Sequence, residues 1–343
     1  MGIKQIAKLA NVSIGTVDRV IHKRTGVSKE TVKRVQRIIE ETGYIKNTTA
    51  SRLKLASHKK IKFAILIPET KNKWNYWKLP KKGITKAVDE LSELGVKADY
   101  YKFADLTSYE ALGEQIFSQN YDAIITVAFF KSESNALLAL AKSKNIPVVF
   151  LDTEIPLDGP AYFIRQNSTI AGMVAGRLLH GLVGNEGQYF VFNMLNNKGL
   201  LANNVQRENG FRDFFKKNNE KVSIRTINYL MNDEMNVPAE MESCFEKGLR
   251  KGIFVTNSKT HLLCKILEKY DIDNTFIVGF DLNKQNVRLL KNNKINFLIN
   301  QQPDYQGYAA IKGLFHFLTK QDASELNLDI PVEIIVKENL RNT

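Results

Sequence analysis

The chain of 343 residues is long enough for more than one domain and a large buried core. Its hydrophobic fraction of 43% and charged fraction of 25% are ordinary for a soluble globular protein. No apolar run reaches the roughly 18 residues of a membrane span, and the first residues lack the apolar stretch of a signal peptide. Cys244 and Cys264 have neither metal-ligand nor redox-motif spacing. We therefore expect a cytoplasmic protein that does not enter a membrane and uses no metal or other cofactor.

The positive charge is concentrated near the N-terminus. The whole chain carries a formal net charge of +13, of which residues 1–60 hold +10 and the remaining 283 residues hold +3. A basic segment joined to a nearly neutral body indicates a module that binds a polyanion such as nucleic acid.

Apolar residues at helical spacing divide this basic segment into three short helices. The first covers residues 3–10, Ser13 caps a second over residues 14–22, and Ser28 caps a third that ends at Gly43. Two helices joined by a three-residue turn and followed by a supporting helix form the helix-turn-helix plan. In that plan the second helix lies in the major groove of DNA, and its first residues contact base edges.

The same segment resembles the DNA-binding head of the lactose-repressor family of bacterial transcription regulators. The matching residues are Ile6, Ala7, Ala10, Val12, Ser13, Thr16, Val17, Arg19, Val20, Val27, Ser28, Thr31, Val35, Gly43, Tyr44 and Asn47. The resemblance implies a homodimer that binds operator DNA, with a hinge helix after the head that wedges a leucine into the minor groove. Residues 47–55, NTTASRLKL, occupy the place of that helix, and Leu53 occupies the wedge position.

The candidate DNA-contacting residues lie in the second helix and the hinge. They are Ser13, Ile14, Gly15, Thr16, Asp18, Arg19, His22, Asn47 and Leu53. Asp18 departs from the family pattern, which commonly has serine there, and DNA phosphates repel a carboxylate. Three interpretations of Asp18 stay open: it accepts a hydrogen bond from cytosine N4, it braces Arg19, or it pairs with a surface lysine or arginine.

From Lys60 onward, strands alternate with helices, which predicts parallel sheets covered by helices on both faces. The predicted strands are IKFAILIP, VKADYYKF, YDAIITVA, IPVVFLD, QYFVF, VSIRTINY, GIFVTN, TFIVGF, INFLIN and PVEIIVKE. Two runs of similar length indicate two lobes. The body contains no nucleotide-binding motif of the GxGxxG or GxxxxGK[ST] type and no catalytic motif of the GxSxG or HExxH type. The five histidines of the chain are not at metal-ligand spacing.

Open parallel sheets bind ligands beyond the carboxyl ends of their strands. The residues at or just after those ends include Trp74, Tyr76, Trp77, Phe129, Asp152, Asn257, Asp281 and Gln301. Aromatic faces stack on the C–H face of a sugar, and planar polar groups hydrogen-bond its hydroxyls. A single Asp or Asn after a strand is more often a turn or cap residue. Its repetition at several strand ends favours a ligand site.

The body resembles the periplasmic-binding-protein-like core that the lactose-repressor family shares with ribose and galactose binding proteins. The resemblance is carried by FLDTE at 150–154, IRQNSTIAG at 164–172, VQRENGF at 205–211, VTNSK at 255–259, IVGFD at 277–281 and NQQPDYQGY at 300–308. It implies that the sugar contacts are Asp152, Arg207, Asn257, Asp281 and Gln301. The family's sugar binders often have Asp-Arg where this chain has Asp152-Thr153, and Arg165 and Gln166 are candidates to compensate.

The predicted organisation is an α/β chain with a helix-turn-helix head and a two-lobed core. The head covers residues 1–46, a hinge helix and linker 47–59, and the core 60–343, with an N-lobe at about 60–163 and 302–319 and a C-lobe at about 164–301 and 320–343. Crossovers between the lobes are expected near Phe163, Gln301 and Lys320. We interpret the chain as a repressor-type DNA-binding regulator controlled by a small sugar or sugar-like ligand. A sugar-binding receptor without DNA function and an α/β enzyme are the alternatives.

Overall fold

The computed structural model describes residues 3–21, 25–42, 60–70, 76–195, 199–230, 248–269 and 274–340. Its contacts divide the chain into two compact units, residues 1–59 and residues 60–343. Within the described residues, no helix is long and apolar enough to cross a membrane. Outside them lie the predicted hinge helix and linker at 47–59 and the candidate site residues His22, Asn47, Leu53 and Trp74.

The first unit contains three helices, α1 (Ile3–Leu9), α2 (Ile14–Ile21) and α3 (Lys29–Glu41). Apolar side chains from all three meet in a small core, which consists of Ile6, Ala7, Ala10, Val17, Val20 and Val35. The side chain of Ser28 accepts the backbone N–H of Thr31 at 3.3 Å and so caps α3, as predicted. This arrangement confirms the helix-turn-helix plan.

The second unit contains two six-stranded sheets. The strands of the first sheet are β1 (Ile61–Pro68), β2 (Val96–Phe103), β3 (Ala123–Val127), β4 (Val148–Leu151), β5 (Tyr162–Gln166) and β11 (Leu328–Ile330). Those of the second are β6 (Gln188–Leu195), β7 (Ser223–Leu230), β8 (Lys251–Val255), β9 (Thr275–Phe280), β10 (Phe297–Asn300) and β12 (Glu333–Ile335). The strand orders are β11-β5-β4-β3-β1-β2 and β12-β10-β9-β8-β6-β7. Neighbouring strands run parallel, except that β10 and β12 are antiparallel.

Helices pack against both sheets. They are α4 (Lys78–Leu91), α5 (Leu106–Phe117), α6 (Lys131–Ser143), α7 (Ser168–Val183), α8 (Ala202–Lys217), α9 (Thr260–Leu267), α10 (Lys284–Lys291) and α11 (Pro303–Lys320). Central strands such as β1 and β3 are buried along almost their whole length, as expected for parallel strands covered on both faces. The predicted α/β class with two sheet-based lobes is confirmed.

The chain passes between the lobes three times, and the sheet pairing corrects two of the expected positions. Strand β5 belongs to the first sheet, so the first crossover follows Gln166 rather than Phe163. The second follows β10, at Gln301. The third lies at residues 331–332 rather than near Lys320, because β11 pairs with β5 before the chain enters the second sheet through β12. The sequence analysis misses this crossover because β11 has only three residues and carries almost no periodicity, whereas β12 lies within the predicted strand PVEIIVKE.

The segment at residues 152–187 contains strand β5 and helix α7, neither of which is predicted from the sequence. The side chain of Asn167 accepts the backbone N–H of Ile170 at 3.0 Å and caps α7. Since β5 pairs with the first sheet and α7 packs on the second, the alternation of strand and helix continues across the boundary between the lobes.

Pairs of glycines bring two helices into backbone contact in each lobe. A Cβ atom on Gly172 of α7 would lie 2.0 Å from the carbonyl oxygen of Arg207 of α8, and one on Gly210 of α8 would lie 1.9 Å from the backbone of α7. Helices α4 and α11 make the same kind of contact. A Cβ atom on Gly83 of α4 would lie 1.7 Å from the backbone of α11, and one on Gly307 of α11 would lie 2.2 Å from the backbone of α4. The first pair fixes the turn of α8 that carries Arg207.

We expect Gly172→Ala to lower the free energy of unfolding by about 1–3 kcal/mol, because the added methyl group forces α7 and α8 apart. Gly181→Ala on the same helix is the matched control, since nothing lies within 4 Å of its Cβ position. There the helix propensity of alanine should raise stability by about 0.5–1 kcal/mol. Urea unfolding followed by tryptophan fluorescence measures both effects. Equal stability of the two variants would contradict the close helix contact.

Candidate functional site

A cavity of about 130 Å³ lies between the two sheets of the second unit, where the carboxyl ends of their strands meet. Its lining consists of Tyr76, Trp77, Phe129, Asp152, Met194, Leu195, Gly199, Leu201, Asn203, Asn204, Arg207, Asn257, Ser258, Lys259, Asp281 and Gln301. Residues of both lobes therefore line the same small space.

Eight of the predicted ligand-site residues meet in this cavity, namely Tyr76, Trp77, Phe129, Asp152, Arg207, Asn257, Asp281 and Gln301. Gln166 is not part of the lining. Its side-chain amide donates to the carbonyl oxygens of Asn300 and Pro331 at 3.1 and 3.2 Å, and so joins the crossover segments. Arg165 pairs with Glu154 and Asp329. The structure thus places neither Arg165 nor Gln166 where it could compensate for the missing arginine of the cavity.

Asp152 and Asp281, the two site aspartates, occupy equivalent positions in the two lobes. Each follows a strand, β4 or β9, with φ angles of 70° and 67°. The backbone N–H of Asp152 donates to Ile164 at 3.1 Å, and that of Asp281 donates to Ile299 at 3.0 Å. A positive φ is uncommon outside glycine and costs on the order of 1 kcal/mol. Both lobes thus use the same strained turn to place a carboxylate at the cavity.

Asp152 accepts hydrogen bonds from both lobes. The hydroxyl of Tyr76 donates to its Oδ1 at 2.6 Å, and the hydroxyl of Thr153 donates to its Oδ2 at 2.9 Å. From the other lobe, the amide of Asn203 on α8 donates to Oδ2 at 3.3 Å. Burial, followed by the charge of Asp152, raises the pKa of Tyr76 well above its usual value, so this phenol remains a donor.

Arg207 lies in the first half of α8 and is only 2% exposed. Its guanidinium carbon is 3.9 Å from the ring centre of Phe280, a cation–π contact. One terminal nitrogen donates to the carbonyl of Thr256 at 2.7 Å and the other to Oε1 of Gln301 at 2.5 Å. Within the described residues its Nε has no hydrogen-bond partner. Burial lowers the pKa of Arg207, and the charges of the two site aspartates oppose that effect.

Asp281 is held by the same glutamine that contacts Arg207. Nε2 of Gln301 donates to both carboxylate oxygens, at 3.0 and 3.2 Å. Burial raises the pKa of Asp281 to about 7, although the charge of Arg207 acts in the opposite direction. The carboxyl group of Asp281 therefore changes its ionisation near neutral pH.

Gln306 on α11 connects the ends of the two sheets. Its Oε1 accepts the backbone N–H of Asp152 at 3.1 Å, and its Nε2 donates to the carbonyl of Gln301 at 3.0 Å. The side chain is 1% exposed. A continuous series of hydrogen bonds therefore runs from Asp152 through Gln306 and Gln301 to Asp281. Gln306 is not among the predicted site residues, since a glutamine in the first turns of a helix is not distinctive in sequence.

Four polar residues of the lining are also absent from the prediction: Asn203, Asn204, Ser258 and Lys259. The amide of Asn204 donates to the hydroxyl of Thr256 at 2.8 Å. Nζ of Lys259 donates to the carbonyl of Met194 at 3.2 Å, and burial lowers the pKa of Lys259 to about 8. These side chains lie at helix starts rather than directly after strands, although Lys259 falls within the VTNSK motif.

In the first unit, α2 and the Ser13 cap before it form the candidate DNA-binding surface. Its exposed residues are Ser13, Ile14, Gly15 and Arg19, and Thr16 and Asp18 are partly buried. Oγ of Ser13 accepts the backbone N–H of Thr16 at 3.1 Å, as predicted for a cap. Among the described residues, a Cβ atom on Gly15 would meet only Oγ of Ser13, at 3.8 Å. Packing within this unit therefore does not require glycine at that position.

Both units match known families. The family of periplasmic binding protein domains matches residues 63–322, and the lacI family of bacterial regulatory proteins matches residues 2–47. The probable HTH-type transcriptional repressor ExuR of Bacillus subtilis (strain 168) is 28% identical over 153 residues, which cover 45% of this chain and 43% of that protein. The chain spans about half the length of the curated relatives it matches.

Solved structures share the fold of the second unit. A Bacteroides fragilis protein assigned as a LacI transcriptional regulator has a TM-score of 0.73 at 24% identity, covering 82% of this chain and 98% of that one. GanP, a glucose-galactose binding protein from Geobacillus stearothermophilus, has a TM-score of 0.67 at 21% identity, covering 82% and 99%. The chain belongs to the family of periplasmic binding protein domains over residues 63–322, and its head, residues 2–47, is that of the lacI family of bacterial regulatory proteins.

Proposed function

We propose that the chain is a DNA-binding transcription regulator whose operator affinity is controlled by a small sugar-like ligand bound between its lobes. The observation that carries this proposal is the convergence of two carboxylates, an arginine and aromatic rings in one cavity, in a chain with a lacI-family head. Aromatic faces and planar polar groups suit a polyhydroxylated ring. A sugar receptor without DNA function would leave the head unexplained.

The ligand is held from both lobes. Hydroxyl groups donate to Asp152 on one side and to Asp281 on the other, so the ligand stabilises the arrangement in which the lobes are closed. Arg207 makes two hydrogen bonds within the protein, and its remaining N–H groups are donors for ligand oxygens. Trp77 and Phe129, with ring centres 5.7 Å apart, supply the apolar part of the lining.

The head reads DNA through α2. The exposed residues of α2 and its cap face the base edges of the major groove, with Arg19 as the principal contact because its guanidinium matches guanine O6 and N7. Gly15 lets the backbone approach the DNA closely, which explains a glycine at a position where the unit's own packing permits a side chain. Asp18 reads cytosine, braces Arg19 or pairs with a surface lysine or arginine.

The regulator acts as a cytoplasmic homodimer that presents two heads to a pseudopalindromic operator. Repression is the mode of action we propose. The ligand shifts the balance between two arrangements of the dimer, and residues 47–59 join each head to its ligand-binding unit in sequence. Such coupling is reciprocal, because the ligand and the operator bias the same equilibrium.

We expect Arg19→Ala to lose about 1–3 kcal/mol of discrimination between operator and unrelated DNA, since a bidentate base contact disappears. The operator is first selected from randomised duplexes with the parent protein, and fluorescence anisotropy at fixed salt then gives both affinities. Arg34→Ala removes the same charge from an exposed position of α3 and should preserve discrimination. An equal loss on both duplexes would identify Arg19 as a phosphate contact and contradict base reading.

A thermal-shift screen of the full chain against sugars tests the ligand, because a ligand at 100 times its Kd adds about 2.7 kcal/mol of stability. We expect the affinity of a sugar found in this way to rise roughly eightfold from about pH 6 to about pH 7.5. The reason is that hydroxyl groups donate to the ionised form of Asp281. Burial raises the pKa of this carboxyl group to about 7; Arg207 and Gln301 oppose that effect, and the charge of Asp152 adds to it.

Asp281→Asn is the control for this pH dependence. The variant should bind the sugar more weakly and with an affinity that does not change over the same pH range, as measured by fluorescence titration. An affinity that falls with rising pH in the parent, or a slope that persists in the variant, would contradict the assignment of Asp281 as an acceptor for the ligand.

A further inference from the structure

Lys259 is a largely buried cation that lines the cavity directly before α9. Its Nζ donates to the carbonyl of Met194 at 3.2 Å, a neutral acceptor. Asn257 holds the same turn, because its Oδ1 accepts the backbone N–H of Lys259 at 3.2 Å and its Nδ2 donates to Met194 at 3.0 Å. Among the described residues, no carboxylate lies within ion-pair distance of this ammonium group.

Arg207 and Lys259 differ in the negative charges that surround them. The charges of both site aspartates support the guanidinium of Arg207. For Lys259, burial is the cause that lowers its pKa, and no acidic group among the described residues opposes that effect. A neutral sugar could satisfy the hydrogen bonds of the cavity and still leave this ammonium without a counter-charge. Burying a charge without a counter-charge costs free energy. A cavity lining that nevertheless contains such an ammonium group points to a ligand that pairs with it.

The start of α9 adds to the positive potential at this end of the cavity. Lys259 is the N-cap residue of the helix, and the side chain of Lys259 makes no capping hydrogen bond. The positive end of the helix dipole favours a negative group nearby. With two aspartates, Arg207 and Lys259 all ionised, the lining carries no net charge, so an acidic ligand meets no excess of negative charge.

We infer that the ligand is an anionic sugar, whose carboxylate or phosphate group pairs with Lys259 at the start of α9 while its ring lies among the site aspartates and Arg207. This inference rests on the proposed function and specifies the class of its ligand. The ionic group forms charge-assisted hydrogen bonds with the ammonium, which are stronger than those of a hydroxyl in the same place.

Matched sets of sugars test the inference on the full chain. Each set contains a neutral hexose, its uronate and its 6-phosphate, taken from the glucose and galactose series, and thermal shift followed by titration calorimetry gives the affinities. We expect at least one anionic member to bind about ten times more tightly than its neutral counterpart. The uronate and phosphate arms show which acidic group the site accepts.

Two lysine variants test whether Lys259 is responsible for the preference for anionic sugars. Lys259→Gln keeps a hydrogen-bonding side chain without the charge and should reduce the anion preference to about twofold or less. Lys265→Gln removes a charge from an exposed position of α9 and should keep the preference. Neutral sugars that bind as tightly as anionic ones, or an anion preference that persists in Lys259→Gln, would overturn the inference and leave the proposed function intact. A panel in which nothing binds would count against both.

Unfolding without any sugar provides a measurement independent of the panel. If Lys259 has no counter-ion within the protein, Lys259→Met removes an unpaired buried charge and should unfold at a urea midpoint at least as high as that of the parent. A clearly lower midpoint would show that an acidic residue of this chain already pairs with Lys259, and that result would overturn the inference.

Discussion

The buried charge of Arg207 is the interaction on which the rest of the cavity depends. A guanidinium that is 2% exposed persists only where other groups compensate its lost hydration. Asp152 supplies part of that compensation from one lobe, and Asp281 supplies part of it from the other. The electrostatic balance of the cavity therefore depends on closure of the lobes. In the function we propose, a ligand that adds acceptors beside Arg207 stabilises the closed arrangement of the lobes and so raises its population.

The two lobes position their site residues by similar means. In each, glycines let one helix contact another backbone to backbone, as Gly172 does between α7 and α8 and Gly307 does between α4 and α11. In each, an aspartate in a left-handed turn follows a central strand. Rigid helix contacts behind strained turns keep the polar groups in place before a ligand arrives, which lowers the entropic cost of binding. Gln306 then joins the two halves through Asp152 and Gln301.

The sequence predicts the part of this site that follows from local pattern. Asp152, Asp281 and Gln301 are found because they follow buried strands, and the carboxyl ends of parallel strands converge. Lys259 and Gln306 escape prediction because their importance comes from contacts that the chain makes only when folded: Gln306 lies 154 positions from the aspartate that it holds. Gln166 is the opposite case: it is predicted as a ligand-site residue but does not line the cavity. It lies in a matching motif, but backbone carbonyls of the crossover segments engage its amide.

In the function we propose, the ligand in the cavity and the operator at the head bias one equilibrium. The most direct measurement determines the affinity of the full chain for its operator with and without saturating sugar, and its affinity for the sugar with and without saturating operator. We expect both affinities to change by the same factor, between about 5-fold and about 150-fold. A sugar that binds in the cavity and leaves operator affinity unchanged would contradict this expectation.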